Sequence, residues 1–361
     1  MTDPIRKPEE PGAESLLACP LPLRRYPAIT LAHGSGGRLT GLLIDELFRP
    51  VFQSPTLEQR HDGARLTLGG ARLAFSTDSY VVRPLFFPGG DIGELAATGT
   101  ANDLTMCGAR PRYLSCGLIL EEGLPMEALV RVVRSLKRAA DAAGLEVACG
   151  DTKVVERGKG DGVYINTAGI GLIEHEQVLE PASLQPGDVI LLSGDLGRHG
   201  LAVLAARESL GFEPPPRTDC APLWPLVEAL LRGGVTVRCL RDLTRGGLAE
   251  ALCELAEASG RSLLVDEQAA TIGDEVQGAC AVLGLDPLYL ACEGRCIAVV
   301  PQEQADRALA LWREQPLAAG ATRLGRVLRT SDPASPVRCR GPLGQERPLD
   351  RMSTDPLPRI C

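Results

Sequence analysis

The 361 residues, 44% apolar and 23% charged, are enough for two domains with ordinary hydrophobic cores. A net charge of −8 argues against non-specific nucleic-acid binding, and no apolar run approaches the roughly 20 residues of a membrane span. Twelve cysteines without a C-x2-C pair, and an N-terminus without a signal-peptide pattern, suit a cytoplasmic protein.

Residues 1–27 are polar and proline-rich and read as a disordered lead. The run Ile29-Thr-Leu-Ala-His33 then enters Gly34-Ser-Gly-Gly-Arg38, ahead of an amphipathic stretch through Leu42, Leu43, Leu47 and Phe48. A glycine-rich loop before a helix can offer backbone N–H groups to phosphate, which makes Gly36 and Gly37 candidate contacts; a plain mobile turn fits the same residues. Leu66-Thr-Leu68 and Leu73-Ala-Phe75, joined by Gly69-Gly70, predict a β-hairpin. Asp62 precedes the first strand and the second runs into Asp78. Two acids at neighbouring strand ends could face one cation, or each could be a turn aspartate.

Asp91 to Pro111 predicts a helix of small residues, N-capped by Asp91 and stopped at Gly108. Inside it stand Asn102 and Asp103, both poor helix formers. A buried carboxylate is unfavourable unless paired or bound to a metal, so this pair marks a candidate site. Pro125 opens a long helix that ends at Gly144, and a short strand, Leu145–Cys149, is expected to end in Gly150-Asp-Thr-Lys153. Asp151, Thr152 and Lys153, just past a strand end, are placed to hold a metal and a phosphate. The alternating segment 162–173 closes a first domain, 28–176.

A second domain, 177–350, is expected to be α+β. It contains strands at 188–193, 235–240, 262–265, 288–300 and 322–328, and helices beginning near Leu248, Asp274 and Glu303. Asp242, in Arg241-Asp-Leu-Thr-Arg245-Gly-Gly247, is a candidate helix cap and anion-site residue. Glu293 is placed mid-strand beside Gly294, where the backbone can be approached closely; its other reading is a partner of Arg295. Cys107, Cys149, Cys239, Cys253 and Cys280 read as small core residues, and Cys292 with Cys296 as a weak zinc signal. Residues 351–361 lack apolar periodicity and end on Cys361. Eleven extended residues span roughly 35–40 Å, so this flexible tail could carry a nucleophilic thiol to a distant site.

The acids Asp62, Asp78, Asp103 and Asp151, with Lys153, suit Mg²⁺ and a nucleoside triphosphate, while no G-x4-G-K-[ST] loop is present. The runs Phe75-Ser-Thr-Asp-Ser-Tyr-Val-Val82, Pro84-Leu-Phe-Phe-Pro-Gly-Gly-Asp-Ile-Gly93, Asn102-Asp103, Gly150-Asp-Thr-Lys-Val-Val155 and Pro358-Arg-Ile-Cys361, taken together, resemble the HypE hydrogenase maturation factors. These belong to the aminoimidazole-ribonucleotide-synthetase-like (PurM-like) superfamily. The likeness covers residues from about Ile29 to Cys361; Gly63, Thr105 and Cys149 depart from the usual pattern without removing a polar group.

The resemblance implies a two-domain PurM-like α+β fold: an N-terminal ATP domain that pairs in a homodimer, and a C-terminal domain closing over the cleft. It implies a carbamoyl group received on Cys361 from the carbamoyltransferase HypF and dehydrated with ATP to a thiocyanate. The cyanide would pass through a HypC–HypD complex to [NiFe]-hydrogenase iron. It assigns Mg²⁺ to Asp62, Asp78, Asp103 and Asp151, supported by Asn102. Lys153 would touch phosphate or the carbamoyl group, and Glu293 would accept a proton. Selenophosphate synthetases and thiamine-phosphate kinases share the acids but need no terminal cysteine. A metallochaperone is disfavoured by four histidines with no ligand-spaced cluster.

Overall fold

Gly69 and Gly70, at φ 57° and 87°, turn the chain between β1 (Ala64–Leu68) and β2 (Ala71–Tyr80), as the hairpin signal predicts. The computed structural model describes residues 28–329, 332–352, 357 and 359–361; the expected disordered lead, 1–27, lies outside them. The hairpin joins β5 (Arg110–Glu121), β6 (Glu146–Val155) and β7 (Val163–Leu172) in a five-stranded sheet of order β1-β2-β7-β5-β6, while β3 (Phe86–Phe87) and β4 (Gly90–Asp91) pair as a separate two-stranded ribbon. Its one parallel pair is β5 with β6.

One face of this sheet is covered by α3 (Ile92–Met106), over which α4 (Met126–Ala142) packs; the short α1 (Arg38–Leu43) and α2 (Arg49–Phe52) precede them in the chain. The Asp91 carboxylate caps α3 by accepting from the N–H groups of Gly93 and Glu94. Small residues let this helix sit deep. A Cβ on Gly93 would stand 2.2 Å from the Val132 carbonyl of α4, and one on Gly99 2.3 Å from the Tyr80 hydroxyl. Leu95, Ala96, Ala101 and Leu104 are fully buried.

The second sheet has seven strands in the order β14-β13-β10-β12-β8-β11-β9. They are β8 (Val189–Leu192), β9 (Cys239–Asp242), β10 (Leu263–Asp266), β11 (Cys296–Val300), β12 (Thr322–Val327), β13 (Val337–Arg340) and β14 (Glu346–Pro348). Helix α7 (Gly247–Ser259) closes the core on one face. Helices α6 (Trp224–Arg232) and α9 (Ala305–Arg313) close the core on the other, around Trp312. Helices α5 (Arg198–Arg207) and α8 (Asp274–Leu283) pack together, and their buried residues join the core of the first sheet. Helix α3 also touches β9 and α6, so the helix carrying Asn102 and Asp103 lies along the boundary between the two sheets.

Several expected bounds shift. Strand β6 does not stop at Cys149 but runs through Asp151 and Lys153, because its ladder with β5 continues past a bulge at Leu114/Ser115. Cys149 is therefore exposed rather than core. Strand β9 begins only at Cys239, so Arg241 and Asp242 end a strand; Gly246, at φ 75°, occupies the N-cap of α7, with no side-chain cap. Strand β11 begins at Cys296, leaving Glu293 in the bend before it.

Candidate active site

The end of β9 and the loop after it, the second half of α7, α3 at Gly99 and Asp103, and the loop before β1 line a cavity of about 470 Å³. Asp62, Asp78, Asp103 and Asp242 all line it, together with Glu293 and Cys361. Asp103 is presented by α3 because the helix buries its small residues on all sides and leaves this carboxylate facing Ser76, whose hydroxyl donates to Oδ2 at 2.6 Å. Asp62 Oδ1 accepts from Arg241 at 2.6 Å, while its Oδ2 is buried with no hydrogen-bond partner. Asp242 Oδ2 and Glu293 Oε1 are likewise buried and unpartnered.

Burial and mutual repulsion act together on these acids. Asp103 is held well above the carboxylate range, first by burial and then by the charges of Asp242, Asp78 and Asp62. Asp242 is raised by burial and by Asp62, against the pull of Arg241. Burial pushes Asp62 up to about 6 despite Arg241. Glu293 is raised by burial, Asp242 and Asp219, with Arg245 opposing. Beside them His61 is forced down to about 3 by burial and by Arg241 and Arg65, so it is neutral.

Acidic side chains outnumber arginines in the lining, and the spare acceptors are carboxylate oxygens. That donor chemistry fits a hard divalent cation such as Mg²⁺. Among the described residues no three His, Cys, Asp or Glu side chains stand close enough together to ligate an ion as placed; side-chain rotation at Asp78, Asp103 and Asp242 would have to complete such a set.

Four sequence expectations change here. Asp151, expected among the metal ligands, lies outside the cavity on the exposed face of β6 and pairs with Lys153 at 2.8 Å; Thr152 and Lys153 are exposed on the same strand. The sheet register separates them from α3 within one copy. Asp242, expected as a cap and anion-site residue, does not cap α7 and lines the cavity with Asp62, Asp78 and Asp103. Asn102, expected at the cofactor, is spent on backbone. Its Nδ2 donates to the carbonyls of Ala221 and Glu293, and its Oδ1 accepts from Leu223 N–H at 2.9 Å. It braces the loop that carries Glu293. Gly36 lines the cavity; Gly37 instead lies against the Met352 carbonyl, which a Cβ would meet at 2.6 Å.

Arg241 and Arg245 are the residues sequence reasoning passed over. Arg245 lines the cavity with Cys361, donates to the Gly34 carbonyl at 2.6 Å, and is held up chiefly by the negative charge of Cys361. Two arginines close to Asp242 in the run 241–245 are the available signal.

The chain's end reaches this cavity held by hydrogen bonds to residues 81–83. Val81 N–H donates to the Cys361 carbonyl at 3.0 Å and Arg83 N–H to that of Arg359 at 3.3 Å, while Arg359 Nε returns a bond to the Val81 carbonyl. Arg359 pairs with Asp161 at 2.5 Å. Ile360 and Leu357 are buried in the core of the first sheet.

Two family models match the chain: the N-terminal domain of AIR synthase related proteins over residues 60–173, and the C-terminal domain over 185–337. The carbamoyl dehydratase HypE of Azotobacter vinelandii is 48% identical over 93% of this chain and 98% of its own length. That of Escherichia coli K12 is 47% identical over 92% of this chain and 99% of its own. A crystal structure of HypE in complex with ATP is 48% identical, with a TM-score of 0.77 over 92% of this chain and 100% of that one. A HypE–HypF complex gives 40% identity and a TM-score of 0.81 over 86% and 99%. Thiamine monophosphate kinase from Aquifex aeolicus, at 20% identity and a TM-score of 0.63 over 86% and 99%, shares the fold.

Proposed function

The chain belongs to the HypE carbamoyl dehydratases of the AIR synthase related, PurM-like family, and from that membership we propose that its own C-terminus is its substrate. A carbamoyl group on Cys361 Sγ is dehydrated to a thiocyanate, whose cyanide goes to the iron of a [NiFe]-hydrogenase. The observation that carries this reading is the place of Cys361: the last residue of the chain lines the same cavity as Asp62, Asp78, Asp103, Asp242 and Glu293. A terminal thiol has no structural reason to be among buried carboxylates.

ATP supplies the γ-phosphoryl group that converts the carbamoyl oxygen into a leaving group, and Mg²⁺ offsets its charge. The cavity fits both in charge and chemistry. Asp78, Asp103 and Asp242, with the free oxygen of Asp62, would hold the cation, and the Gly36 turn would lie beside the phosphates. The carbamoyl oxygen takes the phosphoryl group; the C–O bond then breaks as phosphate departs, and the nitrogen gives up two protons as C≡N forms. Glu293 is the acceptor for one of them. Its Oε1 is unpartnered, and its raised affinity for a proton makes its ionised form an effective base. Arg245 faces the same space and would neutralise negative charge building on the leaving group.

Asp151 and Lys153 enter through a second copy. They lie on the outward face of the five-stranded sheet, in register with Gly117 and Ile119 of β5. Phe75, Tyr113, Ile119 and Ile170 are exposed on the same sheet. Pairing of two copies through this face would bury that apolar surface and bring Lys153 to the phosphate or carbamoyl group. HypF would load Cys361, and a HypC–HypD complex would take the cyanide, in the cytoplasm. No helix among the described residues is long and apolar enough to cross a membrane.

The test is to carbamoylate the purified protein, add MgATP and weigh the C-terminal peptide, which should lose one water, about 18 Da, as a second covalent state of the same thiol. ATP consumption with no change in peptide mass would sink the reading.

A further inference from the structure

His199 lies in α5 and is wholly buried, its ring edge-on to Phe87 at 5.4 Å and 87°. Both of its nitrogens are committed. Nδ1 is 2.8 Å from the Thr218 hydroxyl, and Nε2 is 3.0 Å from the carbonyl oxygen of Ile360, 161 residues away in the chain. A carbonyl can only accept, so Nε2 carries the hydrogen and Nδ1 is the acceptor. Thr218 therefore donates its one hydroxyl hydrogen to Nδ1, and its oxygen accepts the Cys220 N–H at 3.1 Å. Burial lowers the affinity of the ring for a second proton, which keeps this tautomer neutral.

We propose that His199 is the positioning residue of the C-terminal tail: its Nε2–H, aimed by Thr218, latches the Ile360 carbonyl and so seats the adjacent Cys361 in the cavity. A histidine that served only the core would satisfy both nitrogens within its own neighbourhood. This one places a buried donor on the chain terminus, so withdrawal of the tail strands that donor in an apolar pocket beside Phe87. The bonds that Val81, Arg83 and Arg207 give to tail carbonyls are at least partly exposed at one partner; the Ile360 contact is buried at both. The assignment of Cys361 as the reacting group rests on the function proposed above, whereas the latch itself does not require it.

The two can be tested apart. Exchange of the Val81 and Arg83 amides, which donate to tail carbonyls, reports seating of the tail without any reaction. Alkylation of Cys361 by iodoacetamide, read on the C-terminal peptide, reports it a second way. His199→Phe keeps the aromatic packing and removes the donor; His199→Gln keeps a donor and loses the ring. Loss of one buried hydrogen bond should raise Cys361 alkylation about tenfold in His199→Phe, with faster exchange at Val81, and His199→Gln should return most of that change. Exchange across α4 should not move in either. Core packing alone predicts the opposite ranking, with Phe better than Gln, and that ranking overturns the latch. So does wild-type behaviour of His199→Phe. Should His199→Phe fold poorly, Thr218→Val must loosen the tail and Thr218→Ser restore it; equal protection in both is equally fatal. In single turnover with carbamoylated protein, His199→Phe should slow dehydration while MgATP binding is unchanged. If wild type itself forms no thiocyanate, the reaction reading fails and the exchange data still judge the latch.

Discussion

Arg241 Nη1 lies 2.6 Å from Asp62 Oδ1, joining the end of β9 in the second sheet to the loop ahead of β1 in the first. The same guanidinium reaches Glu254 on α7 at 2.5 Å, and both Asp62 and Arg241 are nearly closed to solvent. Removing Asp62 leaves Arg241 paired with Glu254 alone and takes away the charge-assisted bond between the two sheets. Asp62→Ala should therefore lower unfolding free energy by about 1.5 kcal/mol, read as a shift of the urea midpoint. A loss under about 0.5 kcal/mol, the scale of an exposed pair, would mean that the contact does not join the domains.

The raised acids make stability depend on pH in an unusual direction. Asp62 moves from 3.8 to about 6 and Glu250 from 4.5 to about 7 on folding, in both cases chiefly through burial. The folded protein thus binds these protons more tightly than the unfolded chain. Their contribution is fully present below about pH 4 and is lost as pH rises through about 6 to 7. Without metal or nucleotide, stability should fall by on the order of 2 kcal/mol between pH 5 and pH 8. Saturating Mg²⁺ with ATP should flatten that slope. A ligand-free protein equally stable at both pH values would contradict the cluster.

Asp103 is raised by burial and by three other carboxylates, Asp242, Asp78 and Asp62. Asp103→Asn keeps the shape and an acceptor for Ser76 while removing a repelled charge. It should raise the unfolding midpoint, by about 1 kcal/mol, and lower ATP turnover at least a hundredfold, the pairing of effects expected at a site that trades stability for function. Calorimetry beside a phosphate-release assay reads both; turnover within about threefold of wild type would remove Asp103 from the cation site.

What the sequence made legible was local. Asp91 as a cap, Gly69-Gly70 as a turn and Asp103 as a suspect carboxylate each follow from a residue in conflict or agreement with its own few neighbours; the structure keeps the cap and the turn, and it buries Asp103 beside other acids. The errors are about where strands stop and what they face. Asp151 looked like a strand-end ligand because Gly150 reads as a break, yet the ladder to β5 continues through it. Asn102 looked like a ligand because it is polar in a helix core; its bonds go to loops more than 100 residues away. Asp242 and Arg241 took their roles from a contact between two sheets, which no periodicity within either one encodes.

Two copies paired through the outward sheet face would bury Tyr113 and Ile119, now 49% and 44% exposed. Ile119→Asp places a charge opposite Lys153 in the β5–β6 register, so it is tolerated in a monomer but not in a packed interface. Light scattering after gel filtration should show wild type at twice the chain mass and the variant as a monomer. ATP turnover should fall with dimer content and recover at high protein concentration, because Lys153 would act across the interface. Wild type running as a monomer, fully active, would end the proposal of a shared site.

Gly294 follows Glu293, and a Cβ on it would stand 1.9 Å from the carbonyl of Asp219. That approach lets Asp219 Oδ1 receive the Glu293 N–H at 3.2 Å and Ala221 N–H meet the Glu293 carbonyl. The loop before β11 and the loop before α6 are thereby held as one unit, with Asn102 bridging them. Gly294→Ala must push them apart. The overpacking should lower stability by about 2 kcal/mol and, by shifting Glu293, slow thiocyanate formation much more than nucleotide binding. Glu293→Gln supplies the comparison: it should abolish proton acceptance at little cost in stability, since its Oε1 has no partner to lose. If Gly294→Ala binds ATP as wild type does and dehydrates the tail at the wild-type rate, the position of Glu293 does not matter and the base must be sought elsewhere in the cavity.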